Sequence, residues 1–322
     1  MRPRSSLSLL TVLFAAVASA QNPPAPKPDK DPGKDVPLFT SDTRLVILPV
    51  TVADKSGKLI PNLPQSAFKV FENGAEQLIK VFRREDVPVS LGIIIDNSGS
   101  MRDKRLKVET ASADLVKASN PQDEVFVVNF NDDAYLDVPF TNDMKKLEQG
   151  LARIDSRGGT AMRDAITMSI DYLKESGQKQ KKVLLVVTDG NDTASTGTLE
   201  KLVAKAQKAE VLIYAIGLLN EEERREAKKA KRALDELTAA SGGLSYYPKD
   251  LTEVDRIALQ VAHEVRNQYT IAYTPTVEAL DGSFRAIKVT VSGAGRTALV
   301  RTRTGYYATP DTAKKTTRAS NP

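Results

Sequence analysis

The chain of 322 residues is 41% hydrophobic and 27% charged, and its 46 Lys+Arg against 41 Asp+Glu give a net charge of +5. These proportions exclude a wholly disordered chain and suit a globular protein of about two domains. The absence of cysteine excludes disulfides, thiolate metal ligands and a lipid on an N-terminal cysteine. The basic residues are scattered, with no stripe interleaved with aromatics, which argues against a nucleic-acid surface.

Residues 1–20 read as an export leader. Arg2 and Arg4 are basic, 7–17 is apolar, and Ala18-Ser19-Ala20 is a small-residue cleavage signal. The apolar run is too short for a transmembrane helix, and no other stretch is long and apolar enough to span a bilayer. Cleavage after Ala20 would deliver the protein to the periplasm or the cell exterior; losing Arg2 and Arg4 lowers the net charge to +3. Residues 21–38, "QNPPAPKPDKDPGKDVPL", have almost nothing to bury and read as an extended, disordered linker. The tail, 308–322, has the same character.

From 39 to 86 the chain is β-like. Strands are expected at 45–52, 67–72 and 78–82, with turn signals at Lys55-Ser56-Gly57 and Asn73-Gly74. Between 87 and 267 the pattern changes to strands alternating with helices. Strands are expected at 91–95, 123–129, 183–188 and 211–216, with a more polar edge strand at 134–140. Helices are expected at 105–118, 144–154, 161–173, 199–209, 223–240 and 251–267. This alternation predicts an α/β domain, a doubly wound, Rossmann-like, mostly parallel sheet covered on both faces. The charge run 221–232 ("EEERREAKKAKR") reads as a solvated helix start, acids at the positive end and bases further on. Short strands return at 268–274, 286–292 and 298–302. Neither flank has enough strands for a core of its own. Together, 39–86 and 268–307 are expected to form one small β-sandwich into which the α/β domain is inserted.

Ligands in open α/β sheets bind beyond the carboxyl ends of the strands. Polar clusters fall at such places: Asp96-Asn97-Ser98-Gly99-Ser100 after the first strand, Asp189-Gly190 after "VLLVVT", and Gly158-Gly159-Thr160 before the helix at 161. Two carboxylates and three hydroxyls make an all-oxygen set. Such a set suits a hard divalent cation that keeps some of its waters, above all Mg2+, with Mn2+ and Ca2+ as the other hard candidates. The alternate spacing of Ser98 and Ser100 lets both oxygens converge in a turning loop, and Gly99 eases close backbone approach.

These residues resemble the metal-ion-dependent adhesion site (MIDAS) of von Willebrand factor type A (VWFA) domains. Its pattern is Asp-x-Ser-x-Ser, a distant threonine and a distant aspartate. Asp96, Ser98 and Ser100, followed by Met101, match the first part; Thr160 in "GGT" and Asp189 in "TDG" match the rest. The resemblance covers roughly 88–267. The flanks, "FKVFENGAEQLIKVF" before and "YTIAYTPT…DGSFRAIKVTV…TRTGYYA" after, resemble a VWFA-related family described from Acidobacteria. The resemblance implies that Ser98, Ser100 and Thr160 coordinate the metal directly or nearly so, and that Asp96 and Asp189 often act through water. A carboxylate, Asp or Glu, from a protein partner would complete the octahedron. The implied function is a secreted, metal-dependent adhesion or interaction module that is not an enzyme.

Two other classes compete. A hydrolase with Ser98 or Ser100 as nucleophile needs a base, yet the single histidine, His263 in "VAHEVRNQY", sits on the last helix. There is no G-x-S-x-G elbow, no P-loop and no G-x-G-x-x-G after a strand. Ser98 also stands where aspartate-nucleophile phosphatases carry a second carboxylate. The other rival is a structural envelope protein whose metal only ties three loops together. Asn131-Asp132-Asp133 invites a second-cation site, but a turn between adjacent strands is the simpler expectation.

Overall fold

The computed structural model describes residues 45–84, 86–152, 156–219, 224–293 and 298–309. The proposed leader, the linker and the tail beyond 309 therefore lie outside the described residues, as does the start of the 221–232 charge run.

Apolar runs set the central sheet. β5 (Val89–Asp96), β6 (Glu124–Phe130), β8 (Lys181–Thr188) and β9 (Leu212–Gly217) are almost wholly buried. They lie parallel in a six-stranded sheet with β7 (Ala134–Thr141) and β10 (Ser245–Tyr246), in the order β10-β9-β8-β5-β6-β7. β7 is the antiparallel edge. A strand buried on both faces must be covered by helices on both sides, and successive residues of β5 divide accordingly. Leu91, Ile93 and Ile95 pack with α1 (Arg105–Lys117), α2 (Met144–Leu151) and α6 (Val254–Arg266). Ile94 packs with α3 (Met162–Ser176), α4 (Leu199–Ala209) and α5 (Arg224–Ser241). Gly92 faces the same way as Ile94, where a Cβ would lie 2.3 Å from the Phe126 ring and 2.5 Å from Leu184.

The flanking strands pair across the central domain. β1 (Val46–Ala53) and β4 (Ile79–Arg83) flank β11 (Tyr269–Tyr273), giving the sheet β13-β1-β11-β4 with β13 (Leu299–Arg301). β12 (Phe284–Val291) pairs with β2 (Phe68–Glu72) in the sheet β14-β12-β2-β3, where β3 is Ala75–Gln77 and β14 is Gly305–Tyr307. Each sheet thus mixes strands from before and after the α/β region, and their inner faces share one core around Leu48, Val50, Val70, Tyr269, Ile271 and Tyr273. Phe68, Phe82 and Tyr269 meet there as a tilted ring cluster with centroids 4.8 to 5.7 Å apart.

Several elements differ in detail from the sequence expectation. β3, β10 and β14 span two or three residues each, too short to leave a periodic signal. The expected helix 251–267 divides into a 3-10 turn, Leu251–Glu253, followed by α6; Asp250 caps the turn, accepting from the Thr252 backbone N–H at 2.8 Å. α2 ends at Leu151, short of 154.

Candidate metal site at the carboxyl edge of the sheet

β5 has β6 on one side and β8 on the other, so the chain's direction of travel across the sheet reverses between β5 and β8. The carboxyl ends of these strands diverge there and leave a crevice. Asp96 is the last residue of β5, and Asp189 follows β8.

The loop after β5 folds back on its own aspartate. The Ser98 backbone N–H donates to Asp96 Oδ1 at 2.8 Å, and Thr188 Oγ1 donates to Asp96 Oδ2 at 2.6 Å. Asp96 is fully buried. Burial raises its carboxyl to about 6, against the opposing pull of the Ser98 and Thr188 hydrogen bonds. Met101, also fully buried, pins the far end of the loop into the core. Ser98 Oγ and Ser100 Oγ lie 3.2 Å apart, and Ser100 Oγ donates to Asp189 Oδ1 at 2.8 Å.

The loop carrying Thr160 is held beside them by backbone bonds: Gly99 N–H to Gly158 O at 3.4 Å and Arg157 N–H to Asn97 O at 3.1 Å. The Thr160 carbonyl accepts from the N–H groups of Thr193 and Ala194, joining this loop to the one after β8. Gly158 has φ +72°, and a Cβ there would lie 2.1 Å from the Asp132 carboxylate. Glycine is demanded at 158. At Gly99, expected to ease close backbone approach, the backbone does meet Gly158 O, but a Cβ would stand 4.0 Å from that oxygen, an ordinary contact.

Asn131-Asp132-Asp133 forms a turn. Asn131 N–H donates to Asp133 O at 2.9 Å, while Asp132 Oδ1 accepts from Gly159 N–H at 2.7 Å and holds the threonine loop. Among the described residues, no group of three or more His, Cys, Asp or Glu gathers in metal-holding fashion. The crevice is instead a hydroxyl-rich set with two carboxylates. In an octahedral site with oxygens about 2.1 Å from the ion, neighbouring ligands stand about 3 Å apart. The Ser98 Oγ–Ser100 Oγ and Ser100 Oγ–Asp189 Oδ1 hydrogen bonds, 3.2 and 2.8 Å long, have about that edge length, and the donors are all hard oxygens.

Three contributors escaped the sequence reading. Thr188 orients Asp96, and only its place beside Asp189 in "VTDG" hinted at it. Arg105, 1% exposed, lies beneath the loop and donates from Nη2 to Asn129 Oδ1 at 3.0 Å and Leu151 O at 3.1 Å. Lys104 Nζ lies 2.5 Å from Asp189 Oδ2. By contrast, His263 is exposed on α6, one turn from Arg266, whose guanidinium reaches Ala118 O and Asp86 at the opposite edge of the sheet. No imidazole serves Ser98 or Ser100.

The doubly wound α/β sheet thus carries an oxygen-lined crevice at its switch point. Residues 91–191 match the von Willebrand factor type A domain, and the chain carries a domain of that family. Among curated relatives, bovine (Bos taurus) inter-alpha-trypsin inhibitor heavy chain H4 is 23% identical over 146 residues, 41% of this chain and 16% of the relative. Mouse (Mus musculus) integrin alpha-11 is 29% identical over 110 residues, 32% of this chain and 9% of the relative. The chain therefore spans less than a fifth of the length of these proteins. Among solved structures, a von Willebrand factor type A protein from Catenulispora acidiphila is similar at 14% identity and TM-score 0.48, covering 85% of this chain and 76% of that one. Domains of this family are protein-interaction and adhesion modules.

Proposed function

We propose that the chain is an exported interaction module that grips an acidic residue of a protein partner through a divalent cation, Mg2+ first. Asp96, Ser98, Ser100, Thr160 and Asp189 form the site. The observation that carries this reading is the octahedral-edge spacing of Ser98 Oγ, Ser100 Oγ and Asp189 Oδ1 in a crevice with only two carboxylates.

When bound, the ion supplies a Lewis-acidic centre with a coordination position open to a carboxylate. Ser98 and Ser100 offer neutral hydroxyl oxygens, which leave the ion's charge largely uncompensated. Asp96, held by Ser98 N–H and Thr188, faces the site from the strand end, and Asp189 closes it from β8. Thr160 arrives on the loop braced by Asp132. With so few anionic ligands, an acidic partner gains where a neutral one does not. No reaction is assigned to the site, which holds no imidazole beside either serine.

Export follows from the pattern of residues 1–20, and mass spectrometry of the native protein should find Gln21 at the mature N-terminus. The binding test is a pull-down of envelope and secreted proteins in Mg2+ and in chelator. Partner capture should vanish in chelator and return with Mg2+ or Mn2+. Asp96→Ala should abolish it with the fold retained, and Ser98→Ala or Ser100→Ala should weaken it. Capture that survives both chelation and Asp96→Ala would place the contact surface elsewhere.

A further inference from the structure

Lys104 is the N-cap residue of α1, its backbone fixed by Lys104 N–H to Met101 O at 2.9 Å and Val108 N–H to Lys104 O at 3.1 Å. From there its side chain crosses the crevice to Asp189 on the far loop. The Asp189 side chain is 1% exposed and that of Lys104 25% exposed. Both carboxylate oxygens are engaged, Oδ1 by Ser100 Oγ at 2.8 Å and Oδ2 by Lys104 Nζ at 2.5 Å. The neighbouring basic side chains are committed elsewhere. Arg102 reaches Ser156 O, Arg105 reaches Asn129 and Leu151 O, and Arg163 pairs with Asp192 at 3.0 Å. Lys104 is, among the described residues, the cation seated on a carboxylate of the site.

We propose that Lys104 is a tethered counter-cation of this site, competing with the divalent ion for Asp189 and so setting the affinity for metal. This role rests on the five residues holding a divalent ion. An ion ligated by Ser100 and Asp189 stands within a few ångströms of the ammonium, in a crevice where the carboxylate is shut from water. Like charges that close in a poorly solvated site repel strongly. Lys104 is exposed enough to swing into solvent, and metal entry requires that swing. Without metal, the ammonium balances Asp189 and keeps the crevice from carrying an unpaired buried carboxylate. The site is thereby tuned to fill at higher divalent concentrations than its ligand set alone would need.

The test titrates the full-length protein with Mn2+, following the free ion by electron paramagnetic resonance. Lys104→Met, which keeps chain length and removes charge, should bind Mn2+ at least about tenfold more tightly than wild type. Lys104→Gln serves as a second uncharged variant if Lys104→Met folds poorly, and Lys104→Arg, keeping the charge, should stay near wild type. Thermal melting supplies a second readout. Metal-free Lys104→Met should melt below wild type, yet gain more on adding Mn2+. Adding Asp96→Ala to Lys104→Met should abolish the tight binding, which locates the ion. Equal Mn2+ affinity in wild type and both uncharged variants overturns the role of Lys104 while leaving the proposed site standing. An absence of Mn2+ binding in every variant overturns the site and Lys104's role together.

Discussion

Strand β5 is buried at all eight of its positions, whereas β12 alternates exposed and buried residues through its first six. The first pattern belongs to a sheet covered by helices on both faces, the second to a sheet that meets one partner face. The two regions also differ in how the chain reaches them. The central sheet is assembled from one continuous stretch, Val89 to Tyr246, with the site on its carboxyl edge. The sandwich joins pieces about two hundred residues apart: the buried Glu72 accepts from Tyr273 Oη at 2.7 Å and from Tyr306 Oη at 3.0 Å. Local assembly holds the candidate crevice, and distant assembly closes a second core around the chain's two flanks.

The largest expected effect breaks that asymmetry open. Deleting 268–322 removes β11 from between β1 and β4, and β12 from beside β2. The 45–83 segment should then lose protection from hydrogen exchange along its whole length, while amides of β5 and β8 stay protected. Loss of protection in both regions together would show that the central sheet depends on the sandwich.

Single core truncations sharpen the same contrast. Ile94 is 0% exposed between helices and sheet, and Ile287 is 8% exposed on the inner face of β12. Ile94→Ala should cost about 4 kcal/mol, and Ile287→Ala about 2 kcal/mol, by chemical denaturation. Equal costs would mean that the sandwich core is packed as tightly as the central one.

This contrast also explains what could be read from sequence. Continuous apolar runs such as "GIIID" and "VLLVVT" announce β5 and β8, and the polar residues that end them announce the crevice, because burial on both faces leaves no polar position until the strand stops. The strands of the sandwich were legible, and so was the need for two flanks to complete one core. Their pairing order was not, since period-two patterns fix a strand's face and not its neighbour. At the site, residue types and spacing pointed to Asp96, Ser98, Ser100, Thr160 and Asp189. Lys104, Arg105 and Thr188 stayed hidden because their contacts depend on where α1 and β8 sit in space. A lysine in "MRDKR" looks like any solvated helix start.

The seam between the two regions carries the next effect. Glu264 on α6 is 1% exposed as a side chain, accepting from Tyr246 Oη at 2.7 Å and pairing at 2.5 Å with Arg301 of β13, itself 19% exposed. Arg301→Met leaves the buried carboxylate short of its cation and should cost about 2 kcal/mol. Because the pair ties a central helix to a sandwich strand, the unfolding transition should also broaden or split. Adding Glu264→Gln should recover part of the loss, as removing both charges is milder than stranding one. An additive double mutant would show that the two side chains are not coupled.

The smallest expected effect lies in the pH dependence of stability, at Lys181 where β8 begins. Its Nζ donates to the Val265 carbonyl at the end of α6. Burial pushes its pKa down to about 8 from an ordinary 10.5, against the opposing pull of Asp86 and Asp123. The sign follows from proton counting. Between pH 8 and 10.5 the unfolded chain still holds the proton that the folded chain has released, so Lys181's contribution to stability rises with pH across that window. Below pH 8 both states are protonated, and the folded state bears the full cost of a buried ammonium. Lys181→Met removes this term alone, leaving the other lysines and tyrosines to titrate as before. The difference in stability between Lys181→Met and wild type should therefore shrink steadily from pH 8 to 10.5, measured by urea denaturation at closely spaced pH values. A constant difference would mean that Asp86 and Asp123 keep Lys181 charged through the window, and that the amino edge of the central sheet is better solvated than its carboxyl edge.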